Sequence, residues 1–451
     1  MSSPHFPVGL PVRIGDFPTV YIFRKGVTRT IANVCYLSAG DFHGSWRDTS
    51  QFQMNTNPAY TTTGIGSAPD PIPTVVGPVL PVPATRLGRV LHVINGEHYS
   101  GAERVQDLLA ARLPEIGYEV GFACVKPGKF AEARRSKDTP LYVAPMRSRF
   151  DPRTLRTLVS IVKKRWLRYS AAHTPRTALV CNAVSRLTGI PWIYHVHSPV
   201  SADSTRLFWN IWNTATERFS LASASHLIAV SQDLGAYMQR AGFTADRLTG
   251  VPNGVPLIGL GRSQDLPESP WTLGTVALFR PRKGTEILIE ALAKLHQDSV
   301  PVRLRAIGGF ETKGYESILR SLACKLDVAS QIDWVGFAHD VTAELRKLDL
   351  FVLPSLFGEG LPMVVLEAMS AGVPTIATKI MGVPQAIRDG VDGLLVEPDN
   401  ADDLAESIKQ VVCGNVAWSD LRQNALDRHR ELFSDLSMAT GVAQVYGRFL
   451  K

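Results

Sequence analysis

Two glutamates, Glu359 and Glu367, stand eight positions apart within Pro354 to Pro374, PSLFGEGLPMVVLEAMSAGVP. An apolar strand reads into this segment, a Gly-rich loop turns it, and Pro362 stands where a helix would begin. Proline at the first helical position forfeits no needed donor. The free N–H groups and the dipole at such a helix start make a physical site for a diphosphate. Carboxylates at this spacing can face one bound molecule and accept hydrogen bonds from sugar and ribose hydroxyls. Taken by themselves, the two glutamates also fit an idle turn and a solvated helix face.

A second cluster, Phe279-Arg280-Pro281-Arg282-Lys283-Gly284, falls between a strand and a helix. Fixed cations placed there stabilise charge gathering on a departing phosphate more than they stabilise the ground state. Lys283 is the leading candidate, with Arg280 and Arg282 beside it; the plainer reading is a solvated basic turn. His195 and His197 follow the strand Trp192 to Tyr194, and alternation puts both rings on one face at its carboxyl end. No third ligand or carboxylate is close in sequence, so no metal site is expected, and packed core histidines are the alternative. Ser100-Gly101-Ala102-Glu103 fits an S-x-x-E capping box, in which Glu103 does no more than start a helix. Gly101 permits close backbone approach there.

These residues need scaffolding, and the hydrophobic pattern supplies it. From Arg89 the chain reads strand (Val90 to Ile94), polar loop, then a helix with Val105, Leu108, Leu109 and Leu113 on one face. Strands at Val120 to Cys124, Trp192 to Val196 and Leu227 to Val230 alternate with helical stretches, as a parallel sheet covered on both faces requires. Pro252 to Pro270 loosens into a linker with turn chemistry at Asn253-Gly254. A second alternation follows, with strands at Thr275 to Phe279, Arg303 to Ile307, Ile332 to Trp334, Leu350 to Leu353, Thr375 to Ala377 and Leu394 to Val396. Helices are expected at Glu286 to Leu295 and Met363 to Ser370. The fold class is therefore α/β: two doubly wound, Rossmann-like lobes facing a central crevice, where ligands sit at the carboxyl ends of the strands. The expected organisation is an extension over 1–86, a first lobe over 87–255, a linker over 256–270, a second lobe over 271–432, and a last helix over 433–451 returning to the first lobe. The extension is turn-rich, Pro-rich from Ala68 to Pro83, and is expected to be mostly disordered apart from a short strand at Thr19 to Phe23.

With 45% hydrophobic and 20% charged residues, the 451-residue chain has a globular composition. Its five cysteines are scattered, with neither CxxC spacing nor adjacent histidine clusters, so disulfides and zinc are not suggested and a cytoplasmic setting is expected. No run reaches the roughly 20 apolar residues of a spanning helix. The net charge of +7 favours anionic partners, but no zinc-finger spacing, RNP-type strand or long basic tail points to nucleic acid. Arg147 to Arg168 holds eight basic residues against one acid, with Leu155, Leu158, Val159, Val162 and Trp166 at helical spacing. This resembles an interfacial helix that would dock on an anionic membrane; a surface helix with its apolar face in the core is the other reading.

Glu359-Gly360-Leu361-Pro362 followed by Glu367, spaced E-x7-E, resembles the signature of the retaining GT-B glycosyltransferases of family GT4. Val335-Gly336, Asp349 to Ser355, Ala371-Gly372-Val373-Pro374 and Asp392 to Val396 match the same pattern, and the resemblance extends from about Leu87 to Lys451. It implies that Glu367 binds the donor ribose, that Glu359 binds the transferred sugar, and that the amides of Gly360 and Leu361 bind phosphate or sugar, ahead of the helix that Pro362 introduces. It gives Lys283 to the diphosphate, His197 to the donor sugar, and the Gly101 loop to donor and acceptor. Leu278 stands where many relatives carry arginine, so Arg280 or Arg282 is expected to substitute. Arg168 to His173 (RYSAAH) departs from an apolar strand ending in His-x-His, and Gln385 stands where many relatives have glutamate.

The implied activity is metal-independent, retaining transfer of a sugar from a nucleotide diphosphate sugar, a co-substrate rather than a cofactor. The acceptor would be a saccharide or a lipid-linked molecule of envelope or exopolysaccharide biosynthesis, met in the cytoplasm or on the inner face of the cell membrane. A same-fold epimerase and a non-catalytic nucleotide-sugar-binding scaffold are the rival readings.

Overall fold

A computed structural model describes residues 71–75, 87–99, 101–148, 151–165, 168–199, 220–259, 266–338 and 340–449. It also describes two short antiparallel strand pairs nearer the start: Arg13–Ile14 with Phe17–Pro18, and Ile22–Arg24 with Val27–Arg29. The expected strand at Thr19 to Phe23 overlaps only the third of these strands, and the expected disorder of the extension falls largely outside the described residues.

The extension does not run undocked to residue 86. Pro73 and Val75 exchange backbone hydrogen bonds with Gly250, and Ile72 is buried in the first lobe's core. The stretch Pro71-Ile72-Pro73-Thr74-Val75 thus lies along a sheet edge, a position that tolerates prolines because an outward-facing N–H is not needed.

The first lobe is a seven-stranded parallel sheet. Its strands are β1 (Gly88–Ile94), β2 (Tyr118–Cys124), β3 (Leu141–Val143), β4 (Tyr169–Ala172), β5 (Trp192–Val196), β6 (His226–Ala229) and β7 (Leu248–Gly250). The spatial order is β7-β6-β5-β4-β1-β2-β3, so the winding reverses between β1 and β4. That reversal opens a crevice at the carboxyl ends of these two strands. β4, the weak segment YSAA, is fully buried at the centre of the sheet. Beyond Tyr169, its Ser170, Ala171 and Ala172 carry no strong hydrophobic signature. The flanking helices include α1 (Gly101–Arg112), α2 (Pro152–Arg165), α3 (Pro175–Thr188) and α4 (Gln232–Arg240).

The second lobe is a six-stranded parallel sheet of β8 (Trp271–Val276), β9 (Val302–Ile307), β10 (Ile332–Gly336), β11 (Leu350–Leu353), β12 (Thr375–Thr378) and β13 (Leu394–Val396), in the order β10-β9-β8-β11-β12-β13. Here the winding reverses between β8 and β11. β8 lies about four residues before its expected place at Thr275 to Phe279. The run Ala277-Leu278-Phe279 has an apolar look, but Leu278 points outward at 52% exposure, whereas Trp271 to Thr275 are buried despite two threonines and a glycine.

Helices α5 (Thr285–Gln297), α6 (Lys313–Lys325), α7 (Met363–Ser370), α8 (Ala401–Val412) and α9 (Trp418–Leu432) cover this sheet. The core on one side, with Leu288 and Leu292 of α5 fully buried, belongs to the second lobe alone. The other core is continuous from the first lobe through Leu361, Met363, Val383 and Phe433. Each leucine-sized side chain so buried contributes roughly 1.5–3 kcal/mol.

The last helix, α10 (Asp435–Gly447), lies against the first lobe. The Tyr118 hydroxyl donates to the Ala443 carbonyl at 3.1 Å, and Arg112 Nε donates to Asp435 at 2.7 Å. Among the described residues no helix is long and apolar enough to cross a membrane.

Candidate active site in the crevice

Because β8 and β11 are neighbours at the reversal, the loops leaving their carboxyl ends must run side by side. The first loop carries Arg280 to Gly284 and the second Pro354 to Pro362. Gly284 sits at φ 62°, and a Cβ there would overlap the Pro354 carbonyl oxygen, so the turn closes only with glycine. The result is an ion pair between Lys283 Nζ and Glu359 Oε1. Both side chains are largely buried, at 15% and 10% exposure. Ser355 Oγ donates to the same carboxylate oxygen at 3.0 Å, and Arg282 Nη1 stands 3.5 Å from it.

Burial alone would push the Glu359 carboxyl up, but the charges of Lys283 and Arg282 and the two hydrogen bonds outweigh it and hold it below its ordinary value. Glu359 is therefore an acceptor at neutral pH. Of the two arginines offered for the position of Leu278, the structure puts Arg282 on this carboxylate. Arg280 turns away toward Glu311, 3.6 Å distant, with its Nε buried and unpartnered.

Glu367 lies on α7, whose register aims it at the first lobe. There it meets Arg104 of α1 in an ion pair that bridges the crevice, a partner that sequence reading missed. The signal was available only as the residue after Ser100 to Glu103, because nothing local ties Arg104 to a helix 263 positions away. Ser100 is outside the described residues, so the proposed capping box is as well; Glu103 itself is buried. Gly101 opens α1, and a Cβ there would meet nothing within 4 Å, so no close approach in this protein demands glycine.

Pro362 differs slightly from expectation. It is the residue before the first helical one, in an extended conformation, and Met363 begins α7. Its carbonyl accepts from Val365, which leaves the Met363 and Val364 amides without a helical partner. Gly360 and Leu361 lie just ahead of them. A Cβ on Gly360 would overlap the His197 carbonyl oxygen, and Asn253 Nδ2 donates to the Leu361 carbonyl at 3.0 Å. The Gly-rich loop of the second lobe is thus seated on the first lobe, immediately beside His197. Gln385 adds another bridge across the lobes, accepting from the Gln232 amide at 2.8 Å.

His197 follows directly after β5 on the crevice side and is half-buried, while His195 is 2% exposed. The expectation that no third histidine is near holds along the chain but not in space. β4 and β5 are adjacent, so His173, just past β4, comes beside both rings, with His173 Nδ1 3.4 Å from His197 Nε2. His92 of β1 stacks on His173, Gln106 of α1 reaches both His92 and His197, and the Tyr446 hydroxyl of α10 stands 3.4 Å from His195.

The basic stretch lies outside the crevice. In α2, Leu158 and Val162 are buried in the lobe's core, so its apolar face is mostly satisfied by the protein. Arg153, Arg156, Lys163 and Lys164 are exposed, and Trp166 falls outside the described residues.

Two family models match the chain in succession: Glycosyltransferase Family 4 over residues 99–257 and Glycosyl transferases group 1 over residues 261–428. An exopolysaccharide phosphotransferase of Streptomyces coelicolor is 35% identical over 38% of this chain and 18% of its own length. An Escherichia coli UDP-Gal:alpha-D-GlcNAc-diphosphoundecaprenol alpha-1,3-galactosyltransferase is 22% identical over 72% of this chain and 87% of its own. With several curated relatives the match spans less than half of the relative, 18%, 38% and 46% in three cases. The crystal structure of Anabaena Alr3699/HepE with UDP and glucose superimposes with a TM-score of 0.69 at 22% identity, covering 80% of this chain and 100% of that one. That likeness establishes the two-lobed GT-B fold, and with the two consecutive family matches it follows that the chain belongs to the GT4-like glycosyltransferases.

Proposed function

We propose that the protein transfers a sugar, with retention of anomeric configuration and without a required metal, from a nucleotide diphosphate sugar to a saccharide or lipid-linked acceptor of envelope or exopolysaccharide biosynthesis. The observation that carries this reading is the junction of Lys283, Arg282 and Glu359 at the reversal of the second sheet, beside the start of α7 and across from His197. In this reading the diphosphate lies between the Lys283 and Arg282 cations and the free amides that open α7. Gly360 and Leu361 present backbone to it, Glu367 takes the ribose once Arg104 yields, and Glu359 and His197 hold the sugar. Arg280, paired toward Glu311, and Gly101, at the mouth of α1, border the donor rather than grip it.

As the glycosidic bond to the diphosphate breaks, the acceptor hydroxyl attacks the same face, and its proton passes to the departing phosphate oxygen. Glu359 is engaged by Lys283 and Ser355 rather than poised as a covalent nucleophile, which favours this route over a glycosyl-enzyme intermediate. The relative named for transfer to a diphosphoundecaprenol-linked sugar supports an envelope acceptor. The exposed basic residues of α2 support docking on an anionic inner membrane face.

The test is turnover in excess chelator, with the product's anomeric configuration read by NMR. Retained configuration and undiminished rate are expected; inversion, a trapped sugar–protein adduct, or loss of rate on chelation would each overturn the corresponding part.

A further inference from the structure

Four imidazoles, from His92, His173, His195 and His197, crowd one end of the first sheet. As a packed core they are poorly satisfied. His92 Nε2 is buried without a partner, and no carboxylate joins the hydrogen bonds among them. A neutral imidazole has one N–H and one lone pair, and the contact between His173 Nδ1 and His197 Nε2 at 3.4 Å can be satisfied by a single proton at best.

We infer that His173, His195 and His197 form a binding site for a transition-metal dication of the zinc type. One ring nitrogen from each lies within 4.8 Å of the other two. Two ligands about 2.0–2.1 Å from a tetrahedral zinc stand roughly 3.4 Å apart, the separation already present between His173 and His197, so only His195 must move inward. An outer contact of a metal-bound histidine is present at one ligand, where the Tyr446 hydroxyl faces His195 Nε2. An all-imidazole set selects zinc, copper or nickel over magnesium, calcium or manganese, which take oxygen ligands. Of the three rings, His197 is the one that is not fully buried.

Such an ion would be inhibitory. This second step rests on the reading that His197 holds the donor sugar, since a metal on its imidazole removes that contact.

The test uses the full chain stripped with chelator, loaded with Co2+ and then challenged with Zn2+, without substrate. One bound ion per chain, a tetrahedral visible spectrum bleached by Zn2+, and at least a tenfold weaker affinity in His173→Gln are expected. His197→Gln, at the half-exposed ligand, repeats the test without disturbing the buried pair. Absence of bound metal, or equal binding by wild type and both variants, overturns the site. Turnover is then followed with added Zn2+. Inhibition in wild type that needs at least tenfold more Zn2+ in His173→Gln supports the second step. Tight Co2+ binding with turnover unaffected by Zn2+ keeps the site and overturns the inhibition, while loss of turnover in metal-free His197→Gln tests the assignment of His197 to the sugar separately.

Discussion

Replacing Lys283 by methionine separates the structural from the chemical contribution of the Lys283–Glu359 pair. The substitution keeps most of the side-chain volume and removes the charge, leaving Glu359 buried with Ser355 at 3.0 Å and Arg282 at 3.5 Å. Breaking a buried ion pair by removing one partner costs about 3–5 kcal/mol, because the remaining charge is stranded. Arg282 and Ser355 offset part of this, so a loss of about 2–3 kcal/mol is expected near neutral pH.

The loss must depend on pH. In the wild type, Glu359 titrates below its ordinary 4.5, so its contribution is fully present above that value and fades as pH falls through the lower, folded one. In Lys283→Met, burial is opposed by less charge, Glu359 titrates higher, and protonation relieves the stranded carboxylate. The deficit relative to wild type should therefore shrink as pH falls toward about 5. Adding Glu359→Gln should recover most of it at neutral pH. Urea unfolding of the four proteins at several pH values supplies the measurement. A deficit below about 0.5 kcal/mol, or one that does not vary with pH, would mark the pair as a solvated surface contact and refute the reasoning.

Arg104→Gln frees Glu367, so binding of the preferred nucleoside diphosphate in calorimetry should tighten several-fold while Glu367→Gln weakens it; equal weakening in both would show that Arg104 grips the ligand instead. Gly360→Ala drives a Cβ into the His197 carbonyl oxygen and should cost roughly 1–3 kcal/mol on urea unfolding, with turnover lost alongside. Unchanged turnover would show that the loop does not need its seat on the first lobe. Reversing Arg156, Lys163 and Lys164 to glutamate removes three exposed charges of α2. At about 1 kcal/mol per basic residue, binding to anionic vesicles should fall by roughly a hundredfold or more in a sedimentation assay. Undiminished binding would remove α2 from the membrane account.

What could be read from the chain alone follows from where the information lies. The parallel lobes announce themselves in apolar runs bounded by turn residues, and Leu350–Leu353 and Leu394–Val396 begin and end where the sequence places them. Lys283 and Glu359 could be singled out because each stands in a loop with local meaning, a basic turn and a Gly-rich bend before a helix. What stayed hidden is whatever adjacency creates. His173 joins His195 and His197 only because β4 lies beside β5, and beyond Tyr169 β4 is written in serine and alanine. Arg104 meets Glu367 only because the two lobes face each other. Burial also separates two readings that the spacing left side by side, because only the structure shows Leu158 and Val162 covered by the lobe's own core.

The central claim rests on nucleoside diphosphate release from UDP-, GDP- and ADP-sugars, measured with bacterial lipid extract for wild type, Glu359→Ala and Lys283→Ala. The account predicts release from one donor class that requires the extract and is lost in both variants. Binding of a nucleotide sugar without turnover under any condition, or turnover that survives both substitutions, would contradict it.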